Sequence, residues 1–197
     1  MVREELLAPL NYNLVEEIEK HAKDATRIAL KWENEQGERS EITYRSLLDK
    51  VNRIGNALLN QGLEVGDKVL VIIPRLIDAY AVYLGALKAG LVVIPSSEML
   101  RTKDIQYRIT HGDVKAVICY GLYTSEFKEI REYENLIKIV VNGSEADWLS
   151  LEELMTKQST EMDIAKTKSD SMAFLSYTSG TTGNPKGVVH THGWAFA

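Results

Sequence analysis

The chain holds 197 residues, with 23 Lys+Arg against 28 Asp+Glu, a formal net charge of −5 and 45% apolar residues. That composition is too apolar for intrinsic disorder, and at about 150 residues per domain the length suits one buried core. The acidic balance gives no general attraction to nucleic acid or to anionic membranes, so a nucleic-acid-coating role is excluded.

The first residues, Met1-Val2-Arg3-Glu4-Glu5, lack the basic start and apolar stretch of a signal peptide. Residues 14–25 predict a short helix, with Leu14, Ile18 and Ala22 four apart on one face. A hairpin follows: residues 27–32, the polar turn Asn34-Glu35-Gln36-Gly37, then residues 40–44. Thr43 is placed to cap a helix that runs to Asn60. Its apolar positions Leu47, Val51, Ile54 and Leu58 step by 4, 3 and 4, and Gly62 stops it. From there the pattern alternates. Short apolar runs at residues 68–73, 91–94, 115–119 and 137–141 read as strands, and residues 76–89, 102–110 and 124–133 between them read as helices. Residues 79–95 are the most apolar window. They are interrupted by Gly85, Lys88 and Gly90 and are shorter than the roughly 20 residues of a membrane span. Cys119, the single cysteine, lies in one of the apolar runs and predicts a buried, reduced thiol in a cytoplasmic protein. Ser150 and Glu153 mark the start of a further short helix, residues 157–170 predict a surface connection, and residues 172–177 one more strand. Near-continuous apolar strands separated by amphipathic helices indicate the α/β class: a doubly wound parallel sheet flanked by helices.

The chemistry is concentrated after that last strand, in Tyr177-Thr178-Ser179-Gly180-Thr181-Thr182-Gly183-Asn184-Pro185-Lys186-Gly187-Val188. Glycines let backbone N–H groups turn in against an anion. The hydroxyls of Thr178, Ser179, Thr181 and Thr182 and the ammonium of Lys186 can donate to phosphate oxygens, and Pro185 stiffens the turn that presents the lysine. No Asp or Glu occurs from Ser171 to Ala197, so the local charge runs against the acidic whole. A flexible linker of the same composition would have no reason to lie between two apolar strands with a lysine and a proline fixed inside it. The segment departs from the loop of P-loop ATPases, because Pro185 stands where that loop needs its second glycine. Its glycines are spaced 3 and 4 apart, unlike the dinucleotide-binding fingerprint.

The same segment resembles the phosphate-loop signature of the adenylate-forming (AMP-binding) superfamily, which includes acyl-CoA synthetases and peptide-synthetase adenylation domains. Ile42-Thr43-Tyr44-Arg45-Ser46-Leu47 and Leu87-Lys88-Ala89-Gly90-Leu91-Val92-Val93-Ile94-Pro95 are similar to two further blocks of that superfamily, in the expected order. Ile73-Pro74-Arg75, the stretch Asp104-Ile105-Gln106-Tyr107-Arg108 and Asp147-Trp148-Leu149 look most like medium-chain acyl-CoA synthetases. The resemblance implies a two-step activation of a small-molecule carboxylic acid, with a fatty acid as the leading class. ATP and the acid give acyl-AMP and pyrophosphate, and coenzyme A then displaces AMP. It implies ATP, Mg²⁺ and coenzyme A as the reacting partners. Thr178, Ser179, Gly180, Thr181, Thr182, Gly183, Asn184, Pro185 and Lys186 would then hold the β- and γ-phosphates. An amino-acid-activating adenylation domain and a non-catalytic nucleotide-binding module are the alternatives.

Only 11 residues follow Lys186, and in the family the acid pocket, the adenine contacts and the C-terminal catalytic domain come later in sequence. Residues 1–197 are therefore expected to be an N-terminal portion of the adenylation domain, without catalytic residues and inactive alone. Apolar sheet edges left uncovered would favour a homo-oligomer. His190 and His192 share strand spacing but have no nearby carboxylate or thiol to complete a metal site, and His192 reads as structural. Trp194, Phe196, Tyr80 and Tyr83 read as core, and Arg101, Lys103 and Arg108 read as a solvated surface by default, with a small basic helix face as the alternative.

Overall fold

The computed structural model describes residues 7–130, 136–178 and 184–196. The short helix α1 (Glu16–His21) leads to an antiparallel hairpin of β1 (Ile28–Glu33) and β2 (Arg39–Thr43). Helix α2 (Tyr44–Asn60) starts where the Thr43 hydroxyl accepts the Ser46 amide at 3.2 Å. Leu47, Val51, Ile54 and Leu58 are buried along one stripe of α2, and the chain leaves it through Gly62 at φ +90°. The alternating part then follows as β3 (Lys68–Ile72), α3 (Ile77–Lys88), β4 (Val92–Pro95), α4 (Thr102–Gly112) and β5 (Val114–Tyr120). A 3-10 helix at Gly121–Phe127 precedes β6 (Ile137–Val141), β7 (Leu149–Ser150) and α5 (Leu151–Thr156). The chain ends with β8 (Met172–Thr178), β9 (Lys186–Thr191) and a 3-10 turn at His192–Ala195.

Seven strands form one sheet in the order β7-β6-β5-β3-β4-β8-β9. Successive strand residues point to opposite faces, which is why the strands read as unbroken apolar runs. Val69, Val71, Val93 and Ile118 meet α2 and α3 on one face, and Leu70, Ile72, Ile94 and Val117 meet α4 and Phe127 on the other. Helices α2 and α3 approach closely at Gly55 and Gly85. A Cβ built on Gly85 would stand 2.7 Å from Ile54 Cγ2. Lys88 of α3 is 1% exposed, its ammonium held by Glu19 Oε1 at 2.5 Å and Asn52 Oδ1 at 2.6 Å. The expected surface connection lies along α2, where Asn52, Arg53 and Asn56 donate to the carbonyls of Thr160, Gln158 and Ser159.

The expected parallel sheet runs from β7 to β8, and β9 joins its end antiparallel to β8. A turn of this length cannot carry the crossover a parallel partner needs. The helix expected at 124–133 is instead the 3-10 segment, which begins earlier and ends at Phe127. Residues 131–133 of that expectation fall outside the described residues. Tyr80 is 47% exposed and Trp194 64% exposed, so neither belongs to the core. Arg101, Lys103 and Arg108 form no common basic face: Arg101 pairs with Glu126, Lys103 faces solvent, and Arg108 is buried. Cys119 is fully buried and free, and desolvation pushes its thiol up to about 12. Among the described residues no helix is long and apolar enough to cross a membrane.

Candidate functional site

β8 runs parallel to β4, with Val93 beside Phe174, so its carboxyl end shares a sheet edge with the carboxyl ends of β3, β4 and β5. Open α/β sheets bind ligands at that edge. There the chain reverses into β9, placing Tyr177 opposite Gly187 and Thr178 opposite Lys186. Directly opposed residues of an antiparallel pair carry their side chains on one face, with Cβ atoms about 4.5–5.5 Å apart. The Thr178 hydroxyl and the Lys186 ammonium therefore rise together from the neck of the turn. Both residues are exposed. Among the described residues no carboxylate pairs with the Lys186 ammonium. The absence of Asp and Glu from 171 to 197 accounts for that locally. An unpaired cation beside a hydroxyl at the mouth of a sheet suits an anionic oxygen ligand.

Of the nine residues predicted to grip phosphate, the structure places Thr178, Asn184, Pro185 and Lys186. Ser179, Gly180, Thr181, Thr182 and Gly183 lie outside the described residues. Asn184 is exposed and Pro185 half-buried, and the Pro185 carbonyl accepts the Tyr107 hydroxyl at 3.0 Å.

On the opposite face of the neck is a group that sequence reasoning missed. His111 Nδ1 lies 2.8 Å from the Tyr177 hydroxyl, and the Arg108 guanidinium sits 5.2 Å from the centre of the Tyr177 ring. Tyr107 stacks on His111 at 5.2 Å. Burial holds the Arg108 pKa below and the Tyr177 pKa above their usual values. The available signal was the spacing of Tyr107 and His111, four apart on one helix face.

His192 is fully buried. The Leu14 amide donates to its Nδ1 at 3.3 Å, and burial pushes its pKa down to about 4. His190 lies against Trp194 instead, ring centres 4.6 Å apart. Among the described residues no group of three or more His, Cys, Asp or Glu side chains could hold a metal ion.

A family model described as AMP-binding enzyme matches residues 18–197. The chain belongs to this family. Among its relatives, an uncharacterised acyl-CoA ligase of Bacillus subtilis (strain 168) is 49% identical over 195 residues, 99% of this chain and 37% of its own length. A mitochondrial acyl-coenzyme A synthetase of Homo sapiens is 30% identical over 181 residues, 90% of this chain and 31% of its own. The acyl-CoA synthetase of Brucella canis superposes with a TM-score of 0.84 at 26% identity, over 95% of this chain and 35% of that one. MatB of Rhodopseudomonas palustris, solved with ATP bound, gives 0.76 at 26% identity over 92% and 35%. The chain thus spans about a third of the length of the relatives it matches.

Proposed function

We propose that this chain supplies the triphosphate-gripping part of an enzyme that activates a carboxylic acid through acyl-AMP and passes it to coenzyme A. The opposed pair Thr178 and Lys186, exposed at the carboxyl edge of the sheet with no carboxylate partner for the ammonium among the described residues, carries that reading. In the first step a carboxylate oxygen bonds to the α-phosphorus as the bond to pyrophosphate breaks. Negative charge grows on the departing pyrophosphate, and an ammonium and a hydroxyl fixed beside it stabilise that charge most in the transition state. In the second step the coenzyme A sulfur, its proton lost to solvent, bonds to the acyl carbon and AMP leaves. Ser179, Thr181 and Thr182 would add hydroxyl donors and Gly180 and Gly183 close backbone approach, with Asn184 and Pro185 shaping the return to Lys186.

Mg²⁺ enters this reading as the counter-ion of the phosphates. Segment 171–197 offers hydroxyls and the single ammonium of Lys186, which suit phosphate oxygens, and no carboxylate for the metal itself. A fatty acid is the favoured acid, because the motifs of the central segment resemble medium-chain acyl-CoA synthetases and the relatives carry acyl-CoA ligase names. Residues 1–197 are read as the N-terminal portion of the adenylation domain, and the buried, reduced Cys119 fits a cytoplasmic setting.

Titration of the ¹⁵N-labelled chain with magnesium–ATP tests the reading. Amide shifts centred on Thr178, Asn184, Lys186 and Gly187 are the expected result. Saturable shifts confined to other elements, or no shifts at millimolar nucleotide, would overturn it.

A further inference from the structure

Helix α4 reaches both ends of the β8–β9 turn. On the entering side, Tyr177 is the last residue before Thr178, and His111 Nδ1 holds its hydroxyl at 2.8 Å. The Arg108 guanidinium covers its ring at 5.2 Å, and the Tyr107 ring meets it edge-on at 6.0 Å. On the leaving side, Pro185 is the last residue before Lys186, and the Tyr107 hydroxyl donates to its carbonyl at 3.0 Å. Two glycines make the room. A Cβ on Gly112 would stand 3.3 Å from the Tyr177 hydroxyl, and one on Gly187 would stand 2.9 Å from Leu175 Cδ1 beside that ring. The contacts therefore involve the two residues next to the Thr178–Lys186 pair, Tyr177 in β8 and Pro185 in the turn immediately before β9. The opposed pair itself projects from the other face.

We propose that Tyr107, Arg108 and His111 are positioning residues that clamp both ends of the turn and so hold Thr178 and Lys186 at a fixed separation for a polyphosphate ligand. The proposal rests on the phosphate reading given above and adds to it a second group of residues, remote in sequence, that touches no ligand. A ligand-gripping hairpin loses affinity when it must be ordered on binding, and fixing it beforehand removes that cost. Tyr107 has a double duty: its hydroxyl fixes the leaving end of the turn at Pro185 while its ring backs the His111 imidazole that fixes Tyr177 at the entering end.

The test uses the whole chain in four variants. Tyr107→Phe and His111→Leu each remove one hydrogen bond, His111→Asn restores a polar group near the Nδ1 position, and Lys186→Ala removes the ammonium alone. Two readouts are taken: amide hydrogen exchange at Thr178, Lys186 and Gly187 without ligand, and affinity for inorganic pyrophosphate. One hydrogen bond corresponds to about three- to tenfold in an equilibrium. Tyr107→Phe and His111→Leu should speed exchange at the neck and weaken pyrophosphate binding by that factor. Exchange in β3 and β5 should stay unchanged, and His111→Asn should recover most of the loss. Lys186→Ala should abolish most pyrophosphate binding with little change in exchange. Unchanged exchange in Tyr107→Phe and His111→Leu overturns the clamp. So does faster exchange with wild-type pyrophosphate affinity, which would make the contacts merely structural. If those two variants match wild type while Lys186→Ala loses binding, the clamp fails and the phosphate reading stands. If wild type binds no pyrophosphate, the phosphate reading fails and the proposal falls with it.

Discussion

Acidification from pH 7 to pH 4 should cost the wild-type chain about 3 kcal/mol more stability than it costs a His192→Asn variant. The imidazole is fully buried, and its Nδ1 accepts the Leu14 amide, so the ring is held neutral. Protonation would break that bond and strand a charge away from water. Burial moves the pKa from 6.5 to about 4 in the folded state. Between those two values the unfolded chain binds the proton and the folded chain does not. Stability is therefore full above pH 6.5 and is lost as the pH falls through the window to about 4. At about 1.4 kcal/mol per pH unit, the gap amounts to about 3 kcal/mol. Partnered carboxylates such as Asp24 and Asp113, whose pKa values lie below the usual range, also lose stability in acid. They do so in both chains, so the difference isolates the histidine. Urea unfolding at pH 7, 5.5 and 4 followed by circular dichroism measures it. Equal acid losses in the two chains, within about 0.5 kcal/mol, would refute the reasoning.

Lys88→Ala should destabilise by about 3–5 kcal/mol, because Glu19 and Asn52 lose a buried partner. Lys88→Met, which keeps the stem and drops the charge, should cost less, and equal urea midpoints for the two variants would contradict this. Gly85→Ala should lower stability by about 1–3 kcal/mol even though alanine favours the helix by about 1 kcal/mol, since the new methyl meets Ile54 Cγ2 at 2.7 Å. A rise in the thermal midpoint would show that α2 and α3 can separate without loss. Thr43→Ala removes the acceptor for the Ser46 amide and should cost about 1 kcal/mol, read from the same midpoints.

Where local chemistry decides the structure, the sequence was legible. Thr43 caps α2 because its hydroxyl can reach the Ser46 amide. Gly90 ends α3 because it adopts φ +79°, and the strands read as apolar runs because both faces of the sheet are covered. Strand direction is not written in composition, and the antiparallel return of β9 follows only from a turn too short to carry a crossover. Tyr80 and Trp194 show the same limit for burial, since an apolar ring at a helical or turn position says nothing about which neighbours reach it. At the candidate site the hydroxyls, glycines and lysine were readable as phosphate chemistry. The opposition of Thr178 to Lys186 was not, because register is a property of two strands. Tyr107 and His111 act on Tyr177 and Pro185 from 66 to 78 residues away, and only the fold brings them there.

The most direct measurement of the central claim is a crystal structure of the chain grown with magnesium–ATP. Phosphate oxygens within about 2.7–3.2 Å of both the Lys186 ammonium and the Thr178 hydroxyl are the expected finding. Nucleotide bound at another part of the sheet, with Lys186 paired to a carboxylate or pointing away from it, would contradict the account.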